Sequence, residues 1–456
     1  MTSPAEQPTS MQDAAAPQAA GFREALALWF KLGWISFGGP AGQIALLHQE
    51  LVERRRWISE KRFLHALNYC MLLPGPEAQQ LATYMGWLLH GTRGGIAAGV
   101  LFVLPSLFVL IALSWVYLRF GDVPAVAGLF YGIKPAVTAI VLHAAYRIGM
   151  RTLKNPGLWV IAAAAFVAIF ALRLPFPAIV VGAAVVGYVG GRLSPAMFAI
   201  GGGHGGGGSG GHGPALIDDT TPVPAHARFR GGRLLRVLVV GLLLWGLPVA
   251  ALAMSLGWAH TLTQMAWFFT TAALLTFGGA YAVLPYVYQG AVVQHGWLTP
   301  TQMIDGLALG ETTPGPLIMV VAFVGFVGGY GDPVFGAGAE FLSGAAAAAL
   351  VTWFTFLPSF VFILAGGPLV ESTRGDLRLT APLTAITAAV VGVIVNLALF
   401  FGYHVLWPQG FAGAFDPVAA ALLLACALAL FRWKQDVIRV IGGAAAAGLL
   451  LVWLRS

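Results

Sequence analysis

Glu77 and Glu311 stand beside helix-breaking turns in an otherwise apolar chain. Glu77 directly follows Leu73-Pro74-Gly75-Pro76, and Glu311 comes just before Thr312-Thr313-Pro314-Gly315-Pro316. Ionisable groups are costly at membrane depth and are kept there for function. A Pro-Gly-Pro turn stops one helix and lets another restart, and the restarted end exposes unpaired N–H groups carrying partial positive charge. Such an end is a cradle for an oxyanion. A carboxylate at the same end competes with the anion, so its protonation is linked to anion binding. Glu77 and Glu311 are therefore the expected proton-coupling residues. The plainer reading makes Glu77 a capping acid favoured by the helix dipole.

Neutral donors crowd the same turns. Gln43, Gln79, Gln80, Thr312 and Thr313, with Gly38, Gly39, Gly75, Gly278, Gly279 and Gly315, form the expected substrate-binding set, and Ser36 and Thr276 lie nearby. Lys134, between Gly132 and Pro135, joins the set because a cation there could neutralise part of a dianion's charge or pair with a carboxylate. Its plain alternative is snorkelling to an interface. Asp305, Asn68 and Asn396 are weaker candidates, read first as polar contacts between helices.

The elements that position these residues are duplicated. Phe37-Gly38-Gly39-Pro40, Trp57-Ile58-Ser59 and Pro74-Gly75-Pro76 return as Phe277-Gly278-Gly279-Ala280, Trp297-Leu298-Thr299 and Pro314-Gly315-Pro316, each 240 residues later (277 − 37, 297 − 57, 314 − 74). Leu104-Pro105-Ser106 returns as Leu357-Pro358-Ser359 at an offset of 253 (357 − 104). Ordered matches at fixed spacing mark an internal repeat. The carboxylates break it, since Leu317 stands at the position of Glu77, Met71 at that of Glu311 and Thr387 at that of Lys134, so the site is expected to be asymmetric.

Hydrophobic residues make up 58% of the 456-residue chain and charged residues 9%, against roughly 25% charged in soluble proteins. Too few charges exist to cover a watery surface, and the long continuous apolar runs point to helices in place of barrel strands. The expected fold class is an all-α polytopic membrane protein with about thirteen hydrophobic segments. These lie near 22–47, 62–90, 94–118, 124–149, 157–172, 175–192, 234–256, 263–290, 302–330, 336–366, 380–405, 412–431 and 436–454. The expected organisation is a disordered tail over 1–21, a first repeat over 22–192, a Gly/His-rich cytoplasmic linker over 193–233, a joining helix over 234–256, and a second repeat over 257–456. An even-numbered half followed by one extra crossing places the second half upside down, the inverted repeat of secondary transporters.

Charge placement bears on orientation. The 147–155 loop and the linker are basic, as are 371–379 and 432–436, whereas 257–262, 289–301 and 406–411 hold no Lys or Arg. The positive-inside rule then puts the N-terminus in the cytoplasm and the C-terminus in the periplasm. Arg54, Arg55, Arg56, Lys61 and Arg62 fall on the wrong side if the first two segments simply span. Re-entrant hairpins with tips at Phe37-Gly38-Gly39-Pro40 and Pro74-Gly75-Pro76 remove the conflict; spanning but broken helices leave it standing.

The scattered basic residues suit short membrane loops and give no footprint for nucleic acid. No His-Glu-x-x-His, Gly-x-Ser-x-Gly or Walker motif occurs, so neither an enzyme nor an ATP-driven pump is expected, and neither a metal nor a cofactor. Cys70 and Cys426 read as free buried thiols.

The repeated motifs, with Gln79-Gln80-Leu81-Ala82, Tyr84 and Gly86 after the first Pro-Gly-Pro and Tyr281 and Leu284-Pro285 in the second copy, resemble the chromate ion transporter family over residues 22–454. The resemblance implies a bacterial inner-membrane secondary transporter that exports chromate and confers resistance, energised by protons or by exchange with a counter-anion. Sulfate is a dianion of the same shape, so transport of sulfate or another oxyanion, or an uncoupled anion channel, stands as the alternative. The expected partners are the dianion, protons or a counter-anion, the lipid bilayer and a second copy of the chain.

Overall fold

The computed structural model describes residues 20–37, 39–198, 215–219, 221–222, 224–277, 279–373 and 380–455. The first half contains α1 (Phe22–Ile35), α2 (Gly39–His48), α3 (Glu60–Leu72), α4 (Glu77–Phe120), α5 (Pro124–Thr152), α6 (Pro156–Phe170), α7 (Phe176–Leu193) and the single turn α8 (Pro195–Phe198). Next comes α9 (Gly231–Leu256). The second half contains α10 (Thr261–Leu275), α11 (Ala280–Tyr288), α12 (Pro300–Thr312), α13 (Val320–Gly331), α14 (Glu340–Thr373), α15 (Thr380–Leu406), α16 (Pro417–Phe431) and α17 (Val437–Arg455).

Seven of the described helices, α4, α5, α7, α9, α14, α15 and α17, are long and apolar enough to cross a membrane. The chain is an all-α polytopic membrane protein. Its outer surface agrees with an apolar solvent: on α9, Leu242 and Leu247 are each 64% exposed and Met254 is 83% exposed, which water would penalise at roughly 25 cal/mol per Å². Cys70 and Cys426 are free and buried.

Chain reversals stand where the sequence placed its four glycine- and proline-marked segments. Lys31 Nζ lies 3.1 Å from Glu50 Oε1, and Arg55 pairs with Glu24, so α1 and the arm formed by α2 run side by side in opposite directions. The rings of Tyr69 and Tyr84 are 6.1 Å apart; an unbroken helix would separate them by about 22 Å. The second half repeats the pattern. Phe268 meets His295 at 6.0 Å across one reversal, and Gly306 lies against the ring of Phe323 across the other. α4 folds back once more at His90–Gly91, where Gly91 has φ +65°.

Local chemistry explains the repeated motifs. Ser59 caps α3 by accepting from the Arg62 N–H, and Thr299 caps α12 in a capping box with Gln302, so the Trp-x-Ser/Thr motif is a helix start signal. Before each cap the chain makes a π-helical turn, Gln49–Arg54 and Gln289–Gln294. The N–H of Trp57 then donates to Leu51 O, and that of Trp297 to Ala291 O, both at 2.8 Å. The two halves thus share their hydrogen bonds as well as their motifs.

Part of the linker is docked. Ile217 pairs with Ile58 in an isolated parallel bridge, and His226 Nε2 lies 3.1 Å from Leu88 O. His204 and His212 lie outside the described residues, as does the tail over 1–19.

Candidate functional site

The two Pro-Gly-Pro turns cross at the junction of the halves. The Gly75 N–H donates to Thr276 O at 2.8 Å, and the Gly315 N–H donates to Ser36 O at 2.8 Å. Gly75 matches Gly315 and Ser36 matches Thr276 at the offset of 240, so the contact is reciprocal, as in a two-fold interface. Its packing is reciprocal too. A Cβ on Gly75 would sit 2.5 Å from Ser359 Oγ, and one on Gly315 would sit 2.7 Å from Ser106 Cβ; Ser106 and Ser359 are the matched serines of the repeated Leu-Pro-Ser. Both glycines have positive φ, +123° and +102°, a region that side chains disfavour.

Side chains lock this crossing from the first half alone. Gln43 Nε2 donates to Gly315 O at 2.5 Å and to Ser36 O at 3.2 Å. Gln80 Nε2 donates to Pro74 O at 2.7 Å and to Ser359 Oγ at 3.2 Å. The matching second-half positions are Val283 and Val320, both buried, which makes the crossing asymmetric. Gln79 donates to Thr83 Oγ1 at 3.0 Å. Among the described residues, the Oε1 atoms of Gln79 and Gln80 and the Oγ of Ser106 are buried without a hydrogen-bond partner, a state that natural structures avoid.

The remaining expected residues are arranged around the crossing. Gly39 (φ +70°) and Gly279 (φ +95°) form the other pair of tips, and a Cβ at either would meet nothing within 4 Å. Gly38 and Gly278 lie outside the described residues. Thr312 and Thr313 turn their hydroxyls onto their own helix, to Ala308 O at 3.0 Å and Gly310 O at 3.2 Å. The first turn of α4 leaves the N–H groups of Glu77, Ala78 and Gln79 unbonded among the described residues. Glu77 and Glu311 are both partly exposed. Glu311 accepts from the Tyr281 hydroxyl; Glu77 has no hydrogen-bond or ion-pair partner among the described residues.

Lys134 stands apart from this group. Its Nζ is 3.6 Å from Asp305 Oδ2, which also accepts from Tyr117 OH at 2.8 Å. Of the two uses the sequence allowed it, pairing with a carboxylate is the one seen. Asp305 is 2% exposed, and its Oδ1 has no hydrogen-bond partner among the described residues.

Composition gave no warning of a second polar junction. Arg62, buried, donates from Nη1 to Glu371 Oε2 at 2.9 Å, from Nε to Asp218 O at 3.0 Å and from Nη2 to Thr221 O at 2.5 Å. Tyr84 OH donates to the other oxygen of Glu371 at 2.7 Å. One guanidinium thus ties α3 of the first half, α14 of the second and the linker. Sequence reasoning read Arg62 as loop charge; its neighbour Ser59, a cap, was the available sign that it lies one turn into a helix.

Four chain reversals at glycine- and proline-marked turns, two in each half, and a reciprocal crossing of paired turns define a polytopic membrane transporter. Residues 23–188 and 263–449 match the chromate transporter family, so both halves carry it. The chain belongs to the chromate transporter family. It is 33% identical over 451 residues to the chromate transport protein of Pseudomonas aeruginosa, covering 96% of this chain and 94% of that one. It is 28% identical to the chromate transport protein of Cupriavidus metallidurans, over 94% of this chain and 92% of the relative. A probable chromate transport protein of Synechococcus elongatus is 28% identical over 82% and 83% of the two chains. No solved structure matches this chain.

Proposed function

We propose that this protein is a secondary active transporter that exports chromate across the bacterial inner membrane, in exchange with or coupled to protons or another anion, and so confers chromate resistance. Its halves, 22–192 and 257–456, are inverted in the membrane and joined by the helix over 234–256. The basic 51–62 loop and the N-terminus face the cytoplasm, and the C-terminus faces the periplasm. The hairpins enter and leave by one face, and their tips meet near the midplane.

The reciprocal crossing of the Pro-Gly-Pro turns carries this reading, because it brings together restarted helices of both halves, with unbonded N–H groups in the first turn of α4. The oxyanion is bound there by the free N–H groups after Pro76 and by the tips at Gly39 and Gly279, with Gln43, Gln79, Gln80, Thr312 and Thr313 lining the site around Gly75 and Gly315, whose own N–H groups hold the crossing together; Glu77 and Glu311 couple protons. Lys134 contributes positive potential. Moving a charge along the membrane potential is worth about 2.3 kcal/mol per 100 mV. An inside-negative cell therefore expels a dianion even when one proton accompanies it.

Purified protein in liposomes tests the reading. With an imposed proton or anion gradient it accumulates chromate above equilibrium, and sulfate competes. A protein that only equilibrates chromate under every gradient is an uncoupled channel, and one that prefers sulfate is a transporter of that anion.

A further inference from the structure

The long helices α4 and α14 each finish in a polar contact with the opposite half. At one end Arg62, in the first turn of α3, donates to Glu371 near the end of α14 at 2.9 Å, and Glu371 also accepts from Tyr84 OH at 2.7 Å. One turn along α3, His65 Nε2 lies 3.4 Å from Val370 O. At the other end Asp305, on α12, accepts from the Tyr117 hydroxyl near the end of α4 at 2.8 Å, with Lys134 Nζ 3.6 Å away.

These two junctions are one contact made twice. Asp305 matches His65 at the offset of 240 (305 − 65), and Val370 matches Tyr117 at the offset of 253 (370 − 117). Each joins the helix before the Pro-Gly-Pro turn of one half to the Leu-Pro-Ser helix of the other. Their chemistry differs. The first is a close ion pair whose remaining guanidinium donors reach linker carbonyls, Asp218 O at 3.0 Å and Thr221 O at 2.5 Å. The second is a hydroxyl–carboxylate bond with a longer ion pair, and Asp305 Oδ1 has no hydrogen-bond partner among the described residues.

The junctions stand on opposite sides of the Pro-Gly-Pro crossing. α4 folds back at His90–Gly91, and its two arms pack so that a Cβ on Gly86 would lie 2.5 Å from that of Ala98. A Cβ on Gly367 of α14 would lie 3.0 Å from the ring of Trp87, so Ala98 is level with the junction that Tyr84 makes to Glu371. Ser106 meets Gly315 at the crossing, and Tyr117 reaches Asp305. The order along this one helical arm is therefore first junction, crossing, second junction. Its 19 residues from Ala98 to Tyr117 (117 − 98) span about 29 Å, close to the hydrocarbon thickness of about 30 Å. At the crossing between them, Ser106 and Ser359 are 0% and 1% exposed.

We propose that Arg62–Glu371 and Tyr117–Asp305 are the two gates of the transport cycle, and that the crossing is reached from either side of the membrane only when the gate on that side opens. The inference deepens the transport reading above and rests on it. Alternating access moves one repeat against the other around a fixed site, and the polar contacts between halves at the two ends are what such a motion breaks in turn. Because the junctions are matched, opening either end is the same movement made with the roles of the halves exchanged. Both gates are closed in this structure. On the orientation proposed above, the first, beside the basic 51–62 loop, is cytoplasmic and the second periplasmic.

Ser106→Cys, in a background lacking Cys70 and Cys426, reports access to the crossing through its rate of reaction with an impermeant thiol reagent in intact cells and in inverted membrane vesicles. Arg62→Gln with Glu371→Gln speeds that reaction about tenfold or more in inverted vesicles only, and Tyr117→Phe with Asp305→Asn does so in intact cells only. Loss of hydrogen bonds to a charged group in the closed form shifts the equilibrium by about that factor. A faster reaction from the same side in both variants, in one variant alone, or in neither overturns the gates. Should a double variant fail to insert, Arg62→Lys and Tyr117→Phe as single changes give the same sidedness with smaller rises. The labelling needs no chromate, so wild-type protein that carries none in liposomes defeats the transport reading, while the reaction rates still decide the gates.

Discussion

The Gly75 N–H donates to the carbonyl of Thr276 at 2.8 Å, and the same bond recurs from Gly315 to Ser36. These contacts join turns 201 and 279 residues apart in sequence (276 − 75, 315 − 36). The N–H groups of both Pro-Gly-Pro turns are therefore spent on holding the halves together, and the unbonded donors among the described residues there are those in the first turn of the restarted helix α4.

Substitution at the crossing separates its glycines from those at the outer tips. Gly75→Ala and Gly315→Ala meet both the positive φ and a Cβ contact under 3 Å, costs of roughly 1–2 and 1–3 kcal/mol. Gly39→Ala and Gly279→Ala meet only the first. The expected order of thermal stability in detergent is Gly39→Ala and Gly279→Ala above Gly75→Ala and Gly315→Ala. Equal melting temperatures for the two classes count against a close-packed crossing.

Arg62 and Glu371 form a buried pair at 2.9 Å. Removing one partner strands a buried charge, so Arg62→Met or Glu371→Leu alone costs about 3–5 kcal/mol, while the double variant costs much less. A double-mutant cycle on thermal unfolding measures this; strict additivity refutes the coupling.

Orientation is open to thiol labelling. In a background without Cys70 and Cys426, Lys61→Cys is shielded from impermeant reagents in intact cells, whereas Val293→Cys, at a position 64% exposed on the matched loop, reacts. Labelling of both from the periplasm removes the inverted arrangement.

Glu77→Gln is expected to slow transport and flatten its pH dependence without loss of membrane insertion. An unchanged pH profile leaves Glu77 as a helix cap.

Glu50 sits at the base of the first hairpin. Burial opposes its ionisation, but the hydrogen bond from Lys31 and the charges of Lys31 and Arg54 outweigh burial and hold its carboxyl below the usual 4.5. A depressed carboxylate stabilises the fold above its unfolded value, and the contribution fades as pH falls from about 4.5 through the lower folded value. Glu50→Gln should therefore lower the melting temperature at neutral pH and narrow the gap to wild type in acid. A constant gap over that range would rule this out.

Read alone, the sequence determined the membrane class, the duplication, and the positions of the reversals. Each rests on a pattern read along the chain: apolar length, ordered motifs at fixed spacing, and Gly and Pro punctuation. Only the tertiary structure decided which donors remain free, that Lys134 belongs to Asp305, and that Arg62 reaches Glu371. Those pairings span distant parts of the chain, and no local pattern encodes them. They follow from how the hairpins pack, which charge counting could orient in the membrane but could not bring together.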